Sequence, residues 1–236
     1  MKVLVIIPAY NEEENIERVV NNLKETCPFA DYIIINDCSK DSTAKICKEN
    51  GFNYISLPVN LGIGGGVQTG YIYARDNGYD IAIQYDGDGQ HNAEYIKALI
   101  KPLENNEADM TIGSRFIEKE GFQSSAMRRT GIEILGMAIR LSCGVTVTDA
   151  TSGFRAVNRK LIKFFAEHYA QDYPEPEAIV AAKRSGYRIM DVPVIMNERT
   201  GGVSSIGGLN SVYYMIKVVL AIFACCLVYN KKRKER

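Results

Sequence analysis

The 236-residue sequence has no tryptophan, only two histidines (His91 and His168) and seven prolines. Its six cysteines, Cys27, Cys38, Cys47, Cys143, Cys225 and Cys226, include no Cys-x-x-Cys pair. With so few histidines that leaves no zinc-site spacing, and the thiols read as reduced, small core residues. Net charge is also lacking: 28 Lys plus Arg balance 28 Asp plus Glu, so the bulk charge gives no reason to expect a nucleic-acid partner. No uninterrupted apolar run reaches the ~20 residues of a membrane-spanning helix. Met1–Ile7 is a strand-like run closed by a proline, unlike the apolar core of a secretory signal. Internal repeats, low-complexity tracts and Pro/Ser linkers are absent. What remains is a chain that is 46% hydrophobic, enough for one sizeable α/β domain.

Three short apolar runs, Val3–Ile7, Tyr32–Ile35 and Asp80–Gln84, alternate with helix-like stretches. Glu13–Thr26 places Ile16, Val19, Val20 and Leu23 at helical spacing, and Ser42–Asn50, Gly66–Asn77 and Glu94–Leu103 follow. The second half continues with strands at Met110–Ile112 and Arg188–Val192 and helices near Arg129–Leu141 and Glu177–Ser185. Strands alternating with helices predict a mostly parallel sheet, whose ligands bind beyond the carboxyl ends of the strands. The loops after Ile7, Ile35 and Gln84 are therefore the places to look.

The loop after Gln84 reads Tyr85-Asp86-Gly87-Asp88-Gly89-Gln90-His91. Two carboxylates at i and i+2 on a turn can face one cation, and Gln90 adds a neutral oxygen. Such hard donors suit Mg²⁺ or Mn²⁺, with positions left for diphosphate oxygens. The loop after Ile7, Pro8-Ala9-Tyr10-Asn11-Glu12, offers Tyr10 to stack on a base and Glu12 to hold a ribose hydroxyl. Asn11 with Glu14 also resembles a capping box. Asp37, at the end of the second strand, can accept a hydrogen bond from a base imide, while Asp41 or Ser42 caps the next helix. The glycine cluster from Gly62 to Gly70 lacks dinucleotide-fold spacing and position, and reads as a close-packed helix start near a nucleotide.

In order along Lys2–Val194, PAYNEEENI, NDCSKDST, NLGIGGG, YDGDGQH, Gly113-Ser114-Arg115 and DATSGFR (Asp149–Arg155) resemble the family 2 glycosyltransferases. The chain looks most like their dolichyl- and polyprenyl-phosphate sugar transferases. The Glu198–Ile206 segment is similar to small bacterial members that charge undecaprenyl phosphate. The resemblance implies a GT-A fold with a mostly parallel central sheet, a nucleoside-diphosphate-sugar donor (UDP-linked) and inversion at the anomeric carbon. Carried over by position, Asp86, Asp88 and Gln90 match the metal motif. Pro8, Tyr10, Glu12, Asp37 and Asp86 match the nucleotide-binding loops. Arg115, Arg128 and Arg129 fall near the acceptor-phosphate positions. Two departures stand out: Asn36-Asp37-Cys38 replaces the commoner Asp-Asp-Gly, and Gly64-Gly65 stands where a lysine-glycine is usual.

Chemistry separates two acceptors. A sugar hydroxyl needs a general base, for which Gln171–Glu177, and Glu177 in particular, offers acids. A lipid phosphate is already anionic near neutral pH and needs cations instead, with Arg115, Arg128, Arg129, Arg155 and Arg199 as the supply. The residues expected to carry catalysis are thus Asp88, Arg115, Arg128, Arg199 and Glu177. A sugar nucleotidyltransferase would carry a basic glycine-rich loop after its first strand, where Pro-Ala-Tyr-Asn stands. A non-catalytic membrane scaffold would not need Asp86 and Asp88.

The tail favours the lipid. Val218–Tyr229 is twelve uncharged residues, about 18 Å of helix, and extension back to Val212 gives roughly 27 Å, short of the ~30 Å hydrocarbon core. Asn230–Arg236 then carries a net charge of +4. These features predict a catalytic domain over 1–208 and, over 209–236, an apolar helix with a basic tail that lies in the membrane interface or re-enters it, the alternative being a terminal helix packed on the protein or on another subunit. The enzyme would sit on the cytoplasmic face of the cell membrane, peripheral or monotopic. That position leaves room for a small membrane-protein partner or a homo-oligomer.

Overall fold

A computed structural model of the chain describes residues 1–121, 126–197 and 210–234. Its centre is a seven-stranded sheet in the order β3-β2-β1-β4-β6-β5-β7. β1 (Val3–Ala9) is buried along its whole length, as expected of a β-branched run covered on both faces. It pairs in parallel with β2 (Asp31–Asn36) and β4 (Ile81–Gln84), with Val5 opposite both Tyr32 and Ile83. β3 (Tyr54–Ser56) extends this parallel half beyond β2. On the other side β6 (Arg155–Asn158) runs antiparallel to both β4 and β5 (Met110–Ser114), and β7 (Ile189–Pro193) pairs in parallel with β5.

The two-residue period of the strands sends side chains to two cores. Val3, Val5 and Ile7 pack with Ile34, Ile81 and Ile83 beneath α1 (Ile16–Thr26) and α4 (Ile96–Glu104), the latter entered through one 3₁₀ turn, Ala93–Tyr95. Leu4 and Ile6 face the opposite core with α3 (Gly62–Asp76), α6 (Arg159–Glu167) and α7 (Pro174–Arg184). α2 (Thr43–Glu49) links β2 to β3. α5 (Ala126–Cys143) and α8 (Asn210–Lys234) close that second side.

Six strands therefore point their carboxyl ends at one edge, while β6 brings its amino end there: Arg155 lies opposite Gln84. The segment before β6, Asp149–Phe154, is thereby delivered to the edge where β4 releases Asp86. β6 and α6 had no counterpart in the sequence reading. α7 starts at Pro174, three residues earlier than the expected helix. The capping box at Asn11 is not formed. Asn11 has a left-handed backbone (φ 56°), α1 begins only at Ile16, and Asn11 Oδ1 instead accepts the Lys40 N–H at 2.8 Å. At α2, Asp41 accepts from the Thr43 N–H and hydroxyl (2.9 and 2.6 Å), whereas Ser42 makes no side-chain cap.

Of the alternatives for the tail helix, packing on the protein is seen for one side. α8 docks one side on the protein, with Val218, Ile222, Cys225 and Cys226 buried against α5 and α7. No helix among the described residues is long and apolar enough to cross a membrane. Glu235, Arg236 and the Glu198–Ile206 segment, with Arg199, lie outside the described residues, as do the side chains of the basic stretch 230–234.

The glycines of α3 act through packing. A Cβ on Gly70 would collide with the Ile6 side chain of β1, and one on Gly64 with the carbonyl oxygens of Ala170 and Gln171. Gly70→Ala should therefore lower the melting temperature, because overpacking costs about 1–3 kcal/mol, against a helix-propensity gain of roughly 1 kcal/mol. Combined with Ile6→Ala it should be less destabilising than the sum of the single changes, measured as a double-mutant cycle in urea.

Candidate active site

The cleft lies at the carboxyl edge of the parallel half and measures about 690 Å³. Pro8, Tyr10 and Glu12 line it from the loop after β1, Asp37 from the end of β2, Gly62 and Gly66 from α3, and Asp86 and Asp88 from the loop after β4. All the nucleotide-loop residues expected from the sequence are thus gathered in one cavity.

Its floor is held by cross-links between neighbouring loops. The N–H groups of Asn11, Glu12 and Glu13 donate to Ser39 Oγ, Thr43 Oγ1 and Asp41 Oδ2 at 3.0, 2.9 and 3.0 Å. In return Glu13 Oε2 accepts from the Ser42 N–H at 2.8 Å. Asp37 is buried, its N–H bonded to Ala9 O and its Oδ1 accepting from the Leu61 N–H at 2.7 Å, which ties the start of α3 to the end of β2. Tyr10 remains 43% exposed at the rim, outside the core.

Asp86 is positioned from three sides. Gln84 Nε2 donates to its Oδ1 at 3.3 Å, and Gln84 Oε1 in turn accepts from the Tyr169 hydroxyl at 3.4 Å. The Asp86 N–H donates to Nδ1 of His91 at 3.0 Å, which leaves Nε2 to carry the imidazole proton, 3.6 Å from Asp86 Oδ2. His91 stacks on Phe154 at 4.7 Å and its carbonyl accepts from the Tyr85 hydroxyl, so the ring is fixed in place. On the third side stands Gly153: a Cβ there would lie 2.6 Å from Asp86 Oδ2. Asp88 Oδ1 accepts from the Gln90 N–H at 3.0 Å and closes the turn. Among the described residues, no group of three or more His, Cys, Asp or Glu side chains is gathered to hold a metal ion.

Electrostatics mark the same spot. Burial, and then the neighbouring charge of Asp88, push the Asp86 carboxyl up to about 7. Burial pulls His91 down to about 4, so it is neutral at physiological pH. Glu175, at the start of α7, is raised by burial and by Asp86, against the lowering effects of Arg155 and a hydrogen bond from Gln84. Glu175 therefore faces the Asp86 pocket. Glu177 instead faces α8: its carbonyl accepts from Cys225 Sγ, and its charge acts on Cys225 and Tyr229.

The arginines divide in a similar way. Arg115 is buried, with Nε bonded to Asp149 Oδ2 at 2.7 Å, and its charge reaches both Asp86 and His91. Arg155, expected among the phosphate binders, is committed elsewhere. It is fully buried, and its Nε, Nη1 and Nη2 donate to the carbonyls of Ser152, Glu175 and Ala150. Arg129 does not line the main cleft. It lines a second cavity of about 400 Å³ with Phe116, Lys119 and Arg140, starting at the residue after Arg115. Arg128 belongs to α5, but its side chain lies outside the described residues.

The model of glycosyl transferase family 2 matches residues 4–165. The chain belongs to this family. The UDP-N-acetylglucosamine--dolichyl-phosphate N-acetylglucosaminyltransferase of Methanococcus voltae is 34% identical over 212 residues, covering 81% of this chain and 84% of the relative. The polyprenol monophosphomannose synthase of Mycolicibacterium smegmatis is 27% identical, with 92% and 85% covered. Among solved structures, glucosyl-3-phosphoglycerate synthase of Mycobacterium tuberculosis, in complex with Mn²⁺, UDP and phosphoglyceric acid, superposes with a TM-score of 0.73 at 20% identity, covering 95% of this chain and 78% of that one. The GT-A fold expected from the motifs is therefore the fold observed, and the chain is a glycosyltransferase.

Sequence reasoning missed Gln84, Glu175, Gly153 and the positioning part of His91. The signals were an amide ending an otherwise apolar central strand, an acid two residues before the one chosen, and a glycine inside the Asp149–Arg155 motif.

The Asp86 shift has a thermal signature. In the metal-free protein its folded-state pKa is about 7, against roughly 4 in the unfolded chain. Holding it ionised costs stability in full above pH 7 and less as the pH falls from 7 towards 4. After chelation, Asp86→Asn should melt above the wild type at pH 8, with the gap narrowing at pH 5, as read by calorimetry.

Proposed function

We propose that this glycosyltransferase moves a sugar from a UDP-linked donor to a polyprenyl phosphate, inverting the anomeric carbon, at the cytoplasmic face of the membrane. The observation that carries the reading is the pairing of the Asp86–Asp88 turn, at the carboxyl edge of β4, with a buried arginine, Arg115, whose charge reaches that turn. The 34% identical relative bears a name with a UDP-sugar donor and a dolichyl-phosphate acceptor, which supports the same pairing.

Asp86, Asp88 and Gln90 offer two carboxylates and one amide oxygen, a partial hard-donor set that fits Mg²⁺ or Mn²⁺. The raised Asp86 carboxyl fits as well, because an adjacent dication relieves the repulsion from Asp88. Such a cation supplies charge neutralisation on the departing diphosphate. The chain's own residues do the rest. Tyr10 stacks on the base from the rim, Asp37 accepts from its imide N–H, and Glu12 holds the ribose, all within the 690 Å³ cleft. Gly62 and Gly66 bring the backbone of the start of α3 to the donor cleft, with Ile63 between them. His91 and Gln84 hold Asp86 in one orientation.

At the acceptor, a lipid phosphate carries its own negative charge near pH 7, since its second ionisation lies at about 6. It requires positioning, not deprotonation. Arg115, fixed by Asp149, is the positioning cation; Arg129, at the start of α5, lines the cavity that begins at the next residue, Phe116, and Arg128 precedes it in the chain. In this reading Glu175 contacts hydroxyls of the donor sugar. In the competing reading, transfer to a saccharide hydroxyl, Glu175 would be the base, since Glu177 faces α8.

The kinetics separate the two. With undecaprenyl phosphate and UDP-sugars, product is expected in the organic-extractable, acid-labile fraction, and Asp88→Ala should abolish it. Glu175→Gln should keep kcat within about tenfold and change mainly KM and the choice of sugar. A general base contributes about 10²–10⁴-fold, so a kcat loss of that size, with donor binding kept, would assign the hydroxyl acceptor. Failure of any UDP- or GDP-sugar to label the lipid would remove the proposal.

A further inference from the structure

α5 and α8 lie side by side and run in the same direction. Gly131 of α5 faces Met215 of α8, and the Ser142 carbonyl accepts from Cys226 Sγ at 3.3 Å, so both helices advance eleven residues between the two contacts. Their inner sides are committed to the core: Ile132, Leu135 and Ile139 on α5, and Val218, Ile222, Cys225 and Cys226 on α8. Their outer sides are apolar as well. Ile134, Met137 and Leu141 are 51–74% exposed, and Ile216, Leu220, Phe223 and Leu227, spaced i, i+4, i+7 and i+11, are 43–72% exposed. Single exposed apolar residues are ordinary, but two adjoining stripes of long side chains on neighbouring helices mark an interaction surface.

The charge carried in the sequences of the two helices selects the partner. The 25 residues of α8 hold five cations (Lys217, Lys231, Lys232, Arg233 and Lys234) and no acid. α5 holds Arg128, Arg129 and Arg140 against the single acid Glu133. Two copies meeting through this face would bring like charges together, whereas an anionic bilayer offers acyl chains to the stripes and headgroups to the cations. We infer that the α5–α8 face is the membrane-docking surface, lying on an anionic bilayer with both helix axes in its plane. This deepens the lipid-acceptor reading, and rests on it for what the docking achieves. Arg129, at the start of α5, lines the cavity that begins beside Arg115, so a docked enzyme meets its acceptor phosphate at headgroup level.

The test is sedimentation of the full chain with vesicles of phosphatidylglycerol mixed with phosphatidylcholine, or of phosphatidylcholine alone. The wild type should bind the anionic vesicles at least tenfold more tightly, and less so as salt is raised. Leu141→Glu combined with Leu227→Glu should lower that binding at least tenfold, with melting temperature and UDP binding unchanged. It should keep wild-type turnover on a water-soluble, short-chain polyprenyl phosphate. Equal vesicle binding by wild type and variant would overturn the assignment, as would no binding by the wild type. A dimer that light scattering shows to fall to monomer in the variant would give the face to a second copy and also overturn it. If the wild type binds vesicles but never turns over the short-chain acceptor, the acceptor reading fails while the docking surface stands.

Discussion

The site depends on one carboxylate kept where its charge is unwelcome. Asp86 sits at the end of a fully buried strand, two residues from a second acid, with burial as the largest cause of its raised pKa. A protein selected for stability alone would not leave it there; the arrangement trades stability for chemistry. The surroundings do not cancel the cost so much as fix its geometry. His91 is neutral and accepts from the Asp86 backbone, Gln84 donates to one carboxylate oxygen, and Gly153 lets the loop before β6 pass close to the other. An acid loosely tethered in the same cleft could turn to solvent and lose the fixed orientation that the proposed cation site requires.

That geometry is a product of topology. In a wholly parallel sheet, the neighbour of β4 would also leave the edge in the same direction, and its loop would start there. Because β6 is antiparallel, a chain segment arrives at the edge instead, and Asp149–Phe154 is pressed against the outgoing Asp86 loop. Arg155 secures the junction by donating to three carbonyls, those of Ala150, Ser152 and Glu175. It thereby joins the arriving loop to the first turn of α7. Its charge lies within reach of Asp86 and Glu175 and lowers the penalty on both, although it touches neither carboxylate through these bonds. A guanidinium suits this role because its fork satisfies several carbonyls at once while staying ionised.

Arg115 shows the complementary use of the same side chain. Its Nε is bonded to Asp149, itself fully buried and accepting from Thr151 Oγ1. The pair fixes where the positive charge sits without leaving a long, mobile arginine that must be ordered when an acceptor binds. A pre-positioned cation favours a substrate that brings its own negative charge. A hydroxyl acceptor would draw no comparable benefit, since its charge appears only as its proton leaves.

The sequence was legible where a strong local pattern met a functional residue. The runs that became β1, β2 and β4 each end in the loops that line the cleft, and the glycine cluster is the packed start of α3. It was silent where two solutions share one pattern. β6 has four residues, opens with arginine, and has no alternation long enough to mark a strand. α6 was readable in hindsight from its cap, Asn158, which accepts from the Lys160 and Leu161 N–H groups, and from the spacing of Leu161, Ile162 and Phe165. Asn11 fits a capping box on paper, but its positive φ turns the side chain towards the neighbouring loop. Glu175 and Glu177 make the limit plainest. On a helix, residues two apart are separated by about 200° and so face opposite sides. Chemistry alone recommends either acid as a partner for a sugar. Only the packing of α7, with Arg155 drawing its first turn to the sheet and α8 covering the other side, decides that Glu175 looks into the site while Glu177 looks away.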